Sequence, residues 1–231
     1  MIERFCRLGS YKFIHYKFIL EMLLKKQIRN GDRILDTGCG KGNSINFPDD
    51  EIEIIGVDIL RSNIEICKKR WKNRSYIVAD ITKLPCTKDS FTGVLSADVL
   101  EHVKNKNKVL NEMARVTQRD GFLIACSSNF LNPILWLDMK FNMLMKPLVL
   151  KFAASGHYDR HCRFSPTSLK KALNFSNYRL ENLYLVGYPQ FSQIKHISRG
   201  IKLLWLFFDN FTKKIPLLYF KEIILWHAIL V

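Results

Sequence analysis

Ile34-Leu35-Asp36-Thr37-Gly38-Cys39-Gly40-Lys41-Gly42 is an apolar run that breaks into three glycines spaced two apart. Glycines at the carboxyl end of a strand let the backbone turn tightly and approach a ligand closely. The spacing is G-x-G-x-G, with Asp36 two residues ahead of the first glycine. A dinucleotide fingerprint would read G-x-G-x-x-G, and a Walker loop would need Ser or Thr after Lys41, where Gly42 stands. The next strand, Ile54-Ile55-Gly56-Val57, ends in Asp58, 22 residues after Asp36, and Asp80 closes a third strand 22 residues further on. A carboxylate at the tip of the second strand can accept both hydroxyls of a ribose. One at the third can accept an adenine amino group. Three acids at consecutive strand tips beside one glycine loop, with no phosphate-binding lysine, describe an adenosine ligand without phosphates.

Outward from this stretch the chain alternates strand and helix. Residues 11–29 read as a helix, with Ile14, Phe18 and Met22 repeating at four and Asn30-Gly31 as its stop. Strands are expected over Arg33–Asp36, Ile52–Asp58, Ser75–Ala79, Val94–Ala97 and Phe122–Ser127. Helices are expected over 62–71 and over 105–116, where Val109, Leu110, Met113 and Val116 share a face. Pro48 leaves little room for a long helix between the first two strands. The alternation implies an α/β fold with a parallel sheet covered on both faces. Residues 128–156 are apolar and broken by Pro133 and Pro147; Ser165 caps a helix with Pro166 in its first turn. A strand follows over 178–187, amphipathic helices over 192–220 and a last strand over Ile223–Val231. With no repeat and no low-complexity linker, 1–231 is expected as one domain. Within it lie an N-terminal helical segment (1–30), a substrate-side insertion (128–164) and a basic amphipathic helical segment (192–222).

A length of 231 residues with 48% hydrophobic and 25% charged residues excludes intrinsic disorder, collagen and a small disulfide scaffold. The 36 Lys+Arg against 21 Asp+Glu leave a net charge of +15, which favours anionic partners without choosing among nucleic acid, lipid surface and small anion. The six cysteines (Cys6, Cys39, Cys67, Cys86, Cys126, Cys162) form no C-x-x-C pair and complete no zinc pattern, so reduced thiols and a cytoplasmic location are expected. Met1-Ile2-Glu3-Arg4 opens no apolar leader, and no run approaches 18 apolar residues.

The glycine loop and its acids resemble the class I S-adenosylmethionine-dependent methyltransferases, in particular their broad type 11 small-molecule group. The resemblance runs over roughly residues 30–190. It rests on Leu35-Asp36-Thr37-Gly38-Cys39-Gly40-Lys41-Gly42, Gly56-Val57-Asp58, Ala79-Asp80-Ile81 with Leu84-Pro85, and Leu100-Glu101-His102-Val103. Ala114-Arg115-Val116 before Asp120-Gly121-Phe122 continues it, as do His161-Cys162-Arg163-Phe164-Ser165 and Leu225-Trp226-His227-Ala228 near the end. Phe91-Thr92 departs from the usual Phe-Asp, and Gln118-Arg119-Asp120-Gly121 from the usual Lys-Pro-Gly-Gly turn. The resemblance implies a doubly wound, Rossmann-like sheet of seven strands, mostly parallel with an antiparallel last strand. It implies S-adenosylmethionine as cofactor, Gly38 and Gly40 at the methionine end, Asp58 with Ile59 at the ribose, and Asp80 with Ile81 at the adenine. Asp36 then orders the loop and reaches the cofactor amine through water, and Ala97 lines the site at the end of strand four.

The acceptor side begins at Ser96-Ala97-Asp98-Val99-Leu100-Glu101-His102. It lacks the Asp/Asn-Pro-Pro-aromatic motif of amino-nucleobase methyltransferases, so nucleic acid is a disfavoured partner. At i, i+3 and i+4, Asp98, Glu101 and His102 can share a helical face. His102 and Asp98 are the expected catalytic pair, with Glu101 structural and no metal expected. The acceptor is expected to be a small apolar or lipid-linked molecule methylated on oxygen or carbon. His157-Tyr158-Asp159-Arg160-His161 and the apolar stretch 134–152 are further substrate-side candidates. Lys195, Arg199, Lys202, Lys213, Lys214 and Lys221 among Leu, Trp and Phe suit either an anionic membrane surface or a packed helix with a solvated basic face. An RNA methyltransferase or RNA binder using the basic surface, and a cofactor-binding fold without catalysis, stay open as alternatives. Oligomeric state is not legible.

Overall fold

The computed structural model describes residues 16–45, 51–128, 164–186 and 223–231. The first helix, α1 (Tyr16–Gln27), buries Leu20, Leu23 and Leu24. Asp32 then closes the turn by accepting the Arg29 amide at 2.7 Å, and the chain enters β1 (Arg33–Thr37). β2 (Glu53–Asp58), α2 (Arg61–Arg70) and β3 (Ser75–Val78) follow. Next come β4 (Phe91–Ala97), a 3₁₀ turn (Leu100–His102), α3 (Lys106–Val116) and β5 (Thr117–Ser128). The Asn105 side chain caps α3 by accepting the Lys108 amide, and Val109, Leu110, Met113 and Val116 form its buried face as the sequence predicts. Ser165 and Ser168 build a capping box at the start of α4 (Pro166–Phe175), which leads to β6 (Tyr178–Val186). β7 (Ile223–Leu230) completes the sheet.

The sheet has seven strands in the order β3-β2-β1-β4-β5-β7-β6. β1 pairs in parallel with β2 and with β4, whereas β7 runs antiparallel to both β5 and β6. This is the doubly wound, mostly parallel architecture expected, with one reversed strand. Alternating side chains feed two cores. Ile34, Ile54, Leu95, Ile124 and Leu225 pack with α1 on one face. Leu35, Ile55, Val94, Leu123 and Trp226 pack on the other with residues of α3 and α4. The strand order reverses between β1 and β4, so the crevice at their carboxyl ends is the place where such sheets take ligands.

Two sequence departures are absorbed locally. The Thr92 hydroxyl accepts the Arg33 amide at 3.0 Å and donates to the Arg33 carbonyl at 3.1 Å, tying β4 to the start of β1. The unusual Gln118–Gly121 turn is incorporated into β5, whose register with β4 shifts between Phe91 and Gly93. Cys39, Cys67, Cys86 and Cys126 are free thiols. Among the described residues no helix is long and apolar enough to cross a membrane. Most of the 128–164 insertion, the His157–His161 patch, the basic segment 192–222 and residues 1–15 lie outside the described residues, together with Cys6 and Cys162.

Candidate cofactor and acceptor site

The glycine loop leaves β1 and crosses toward β2. Thr37 Oγ1 donates to the Leu95 carbonyl at 2.9 Å, and the Cys39 amide donates to the Val57 carbonyl at 2.9 Å, so the loop is anchored on both neighbouring strands. Gly38 has φ +67, and a Cβ built there would lie 2.3 Å from a methyl of Val99. Only glycine fits that contact. Gly40 also sits at positive φ, but a Cβ there meets nothing within 4 Å. The open space above Gly40 is a cradle where a ligand can lie against the backbone.

Asp58 holds this cradle. Its Oδ2 accepts the Gly40 amide at 2.9 Å, and its Oδ1 accepts the Leu60 amide at 2.8 Å and the Asn63 side-chain amide at 3.1 Å. A carboxylate has about four lone-pair sites. Three are engaged, so a ribose accepted through both hydroxyls has to take the fourth and displace Asn63. Beside Asp58 the apolar side chains of Ile59 and Leu60 are 66% and 55% exposed, a surface that a flat apolar group can cover.

Asp80 follows β3. Its Oδ1 accepts the Thr82 amide at 2.8 Å, and that bond holds its carboxyl below the usual range. It is therefore ionised and available as an acceptor. Ile81 beside it is buried. Arg115 clamps this segment from α3 by donating to the Leu84 and Cys86 carbonyls while pairing with Glu112, which accepts the Leu84 amide.

Asp36 departs from the strand-tip picture. It lies one residue inside the end of β1, is 4% exposed, and its Oδ1 has no hydrogen-bond partner among the described residues. Burial pushes its carboxyl up to about 7; Arg74 opposes the rise and Asp58 adds to it. The folded state thus holds a proton that the unfolded chain loses near pH 4. Stability falls as pH rises through that window and stays lower above pH 7. Asp36→Asn is accordingly expected to match the wild type near pH 5 and to gain about 1–3 kcal/mol at pH 8, the scale of an uncompensated buried polar group. Thermal melts at the two pH values check this; an equal shift at both would remove Asp36 as the titrating group.

The acceptor side corrects one expectation. Asp98, Glu101 and His102 do not share a helical face, because Asp98 has φ +56 and only Leu100–His102 are helical, in a 3₁₀ turn. The left-handed residue reverses the chain after β4 before that turn begins. Asp98 Oδ1 accepts the Cys126 thiol at 3.6 Å, and His102 is exposed. Glu101 is the inward member: burial raises its carboxyl, and Asp98 adds to the rise. No group of three or more His, Cys, Asp or Glu that could hold a metal occurs among the described residues. Ala97 ends β4 and packs toward the α1 core.

Strands lie about 4.8 Å apart. The tips of β3, β2 and β1 and the mouth of β4 thus span about 14 Å in the order Asp80, Asp58, Asp36 and Asp98. A buried carboxylate oxygen with no partner among the described residues, an open glycine cradle and exposed apolar groups beside a held acid fit an adenosine carrying a cationic amino-acid tail. Asn63, Val99, Cys67, Trp71 and Arg74 also shape this site and were not singled out from sequence. Trp71 and Arg74, an aromatic and a cation close behind a helix, were the available signal.

Residues 35–125 match the methyltransferase-domain family. An uncharacterized protein of Methanocaldococcus jannaschii is 33% identical over 159 residues, 65% of this chain and 68% of that one. A demethylmenaquinone methyltransferase of Paenarthrobacter aurescens is 28% identical over 124 residues, covering 52% of this chain and 48% of the relative. The chain spans about half the length of that relative and of several other curated relatives it matches. Among solved structures, geranyl diphosphate C-methyltransferase from Streptomyces coelicolor A3(2), in complex with Mg2+, geranyl diphosphate and S-adenosyl-L-homocysteine, superposes with a TM-score of 0.64. That match has 14% identity and covers 92% of this chain and 78% of the other.

Proposed function

The chain belongs to the class I S-adenosylmethionine-dependent methyltransferases, and from that premise we propose that it transfers a methyl group to oxygen or carbon of a small, apolar or lipid-linked acceptor. The observation that carries the reading is the Gly40 cradle held by Asp58, beside a buried Asp36 whose Oδ1 has no hydrogen-bond partner among the described residues. Asp58 and Ile59 hold the ribose, Asp80 and Ile81 the adenine, and Gly38, Gly40, Asp36 and Ala97 the methionine end. When bound, the cofactor supplies a methyl group already activated by its sulfonium charge. The chain's own residues align the acceptor and exclude water rather than create an electrophile. Asp36 balances the cationic tail, so ligand affinity rises with pH through about 7, where its carboxyl loses its proton. His102 takes the proton of a hydroxyl acceptor on a ring nitrogen, and Asp98 orients the acceptor beside it.

The apolar acceptor is supported by curated relatives of the chain, several of them demethylmenaquinone methyltransferases. Incubation with methyl-labelled S-adenosylmethionine tests it against total lipid extract and total RNA in parallel. Label is expected in the organic phase. Label in RNA alone would overturn the acceptor class and turn attention to the +15 charge.

A further inference from the structure

None of residues 38–45 is helical, although a parallel crossover of this kind is commonly made through a helix. The loop's acceptors are met from the side instead, by residues at the end of α2 and just after it. Cys67 Sγ donates to the Gly40 carbonyl at 3.1 Å, Trp71 Nε1 to the Gly42 carbonyl at 3.0 Å and Arg74 Nη1 to the Ile45 carbonyl at 2.8 Å. Arg70 donates to the Asn43 side chain. The Arg74 guanidinium lies 4.1 Å from the centroid of the Trp71 ring, so the two side chains brace each other in a cation–π contact.

Arg74 also carries the positive charge that acts on Asp36. The other titratable groups around that carboxyl are Asp58 and the partly or fully buried Cys39, Cys67 and Tyr76, whose pKa values burial raises, so they stay neutral near pH 7. Among the described residues Arg74 is the cation that opposes the rise of the Asp36 carboxyl, and Arg74→Lys keeps that charge while changing the hydrogen bond.

We propose that Arg74 and Trp71 are positioning residues of the cofactor site: together they clamp the glycine loop over residues 38–45, and Arg74 sets the charge balance with Asp36. The clamp stands on the loop geometry alone; its effect on ligand rests on the S-adenosylmethionine reading.

Two measurements on the full chain separate these. The first is hydrogen exchange of residues 38–45 in the ligand-free protein, for wild type, Arg74→Gln, Arg74→Lys and Trp71→Phe. The second is calorimetric affinity for S-adenosylhomocysteine from pH 5.5 to 8.5. Arg74→Gln is expected to speed exchange in the loop about tenfold or more while β4 and β5 stay protected. It should weaken binding about tenfold or more at pH 7, the scale of a lost charge-assisted hydrogen bond. It should also move the pH midpoint of binding upward, because Asp36 loses its compensating cation. Arg74→Lys keeps the midpoint and loses part of the affinity. Trp71→Phe keeps an aromatic ring, loses the donor, and loosens the loop without moving the midpoint. Unchanged loop exchange in both Arg74→Gln and Trp71→Phe overturns the clamp. An unmoved midpoint in Arg74→Gln overturns the charge role. If the wild type binds no S-adenosylhomocysteine, the cofactor reading fails while the exchange data still decide the clamp.

Discussion

Gly38→Ala is expected to abolish measurable cofactor binding and to lower folding stability by about 2–5 kcal/mol. Two costs add. An L-residue held at φ +67 carries about 1–2 kcal/mol of strain. The new methyl lies 2.3 and 2.7 Å from the two γ-carbons of Val99, so Val99 or the loop must move, at about 1–3 kcal/mol for overpacking. Either movement opens the loop above β1 or shifts the chain that leaves β4, and both border the crevice. Adding Val99→Ala should recover the overpacking share and leave the backbone share, so the double variant melts between Gly38→Ala and wild type. Denaturant unfolding with calorimetry for S-adenosylhomocysteine checks both. A Gly38→Ala protein with wild-type affinity would remove the loop from the site.

His102→Ala carries the second large effect. With a hydroxyl acceptor, losing the general base lowers turnover by about 10²–10⁴. Cofactor affinity stays near wild type, because the acids on β1, β2 and β3 are separate from the 3₁₀ turn that bears His102. Single-turnover rates with cofactor and acceptor both saturating separate this from a packing role, since the variant should lose rate while still binding both. His102 is exposed, so its removal leaves no cavity. Full activity across the pH range would reject the base and leave alignment as the mechanism, which a carbon acceptor permits.

The first three strands were legible because each is a short, largely apolar run that leads into glycine or acid, and because Asp36, Asp58 and Asp80 recur at a spacing of 22 residues. Ser165-Pro166 and the apolar face of α3 were equally legible, since caps and periodicity are local signals. The site's finer design was not local. Cys67 reaches Gly40 across 27 residues, and Trp71 and Arg74 reach Gly42 and Ile45 across 29. Nothing in a spacing rule points to such pairs. The face expected for Asp98, Glu101 and His102 failed for a related reason. Helical spacing predicts a shared face only if the helix exists, and a left-handed Asp98 followed by one 3₁₀ turn is set by how β4 meets its neighbours. Asp58 was read as a ribose acceptor, but its three protein donors make it first the residue that shapes the loop.

The proposed cradle takes an adenosine that carries a cationic amino-acid tail and no phosphates. Calorimetric titration of the full chain with S-adenosylhomocysteine and with NAD, at pH 8 where Asp36 is ionised, tests this. The expected result is saturable binding of S-adenosylhomocysteine, weakened about 10–100-fold by Asp58→Asn through loss of charged hydrogen bonds, and no comparable binding of NAD. Tighter binding of NAD than of S-adenosylhomocysteine would contradict it.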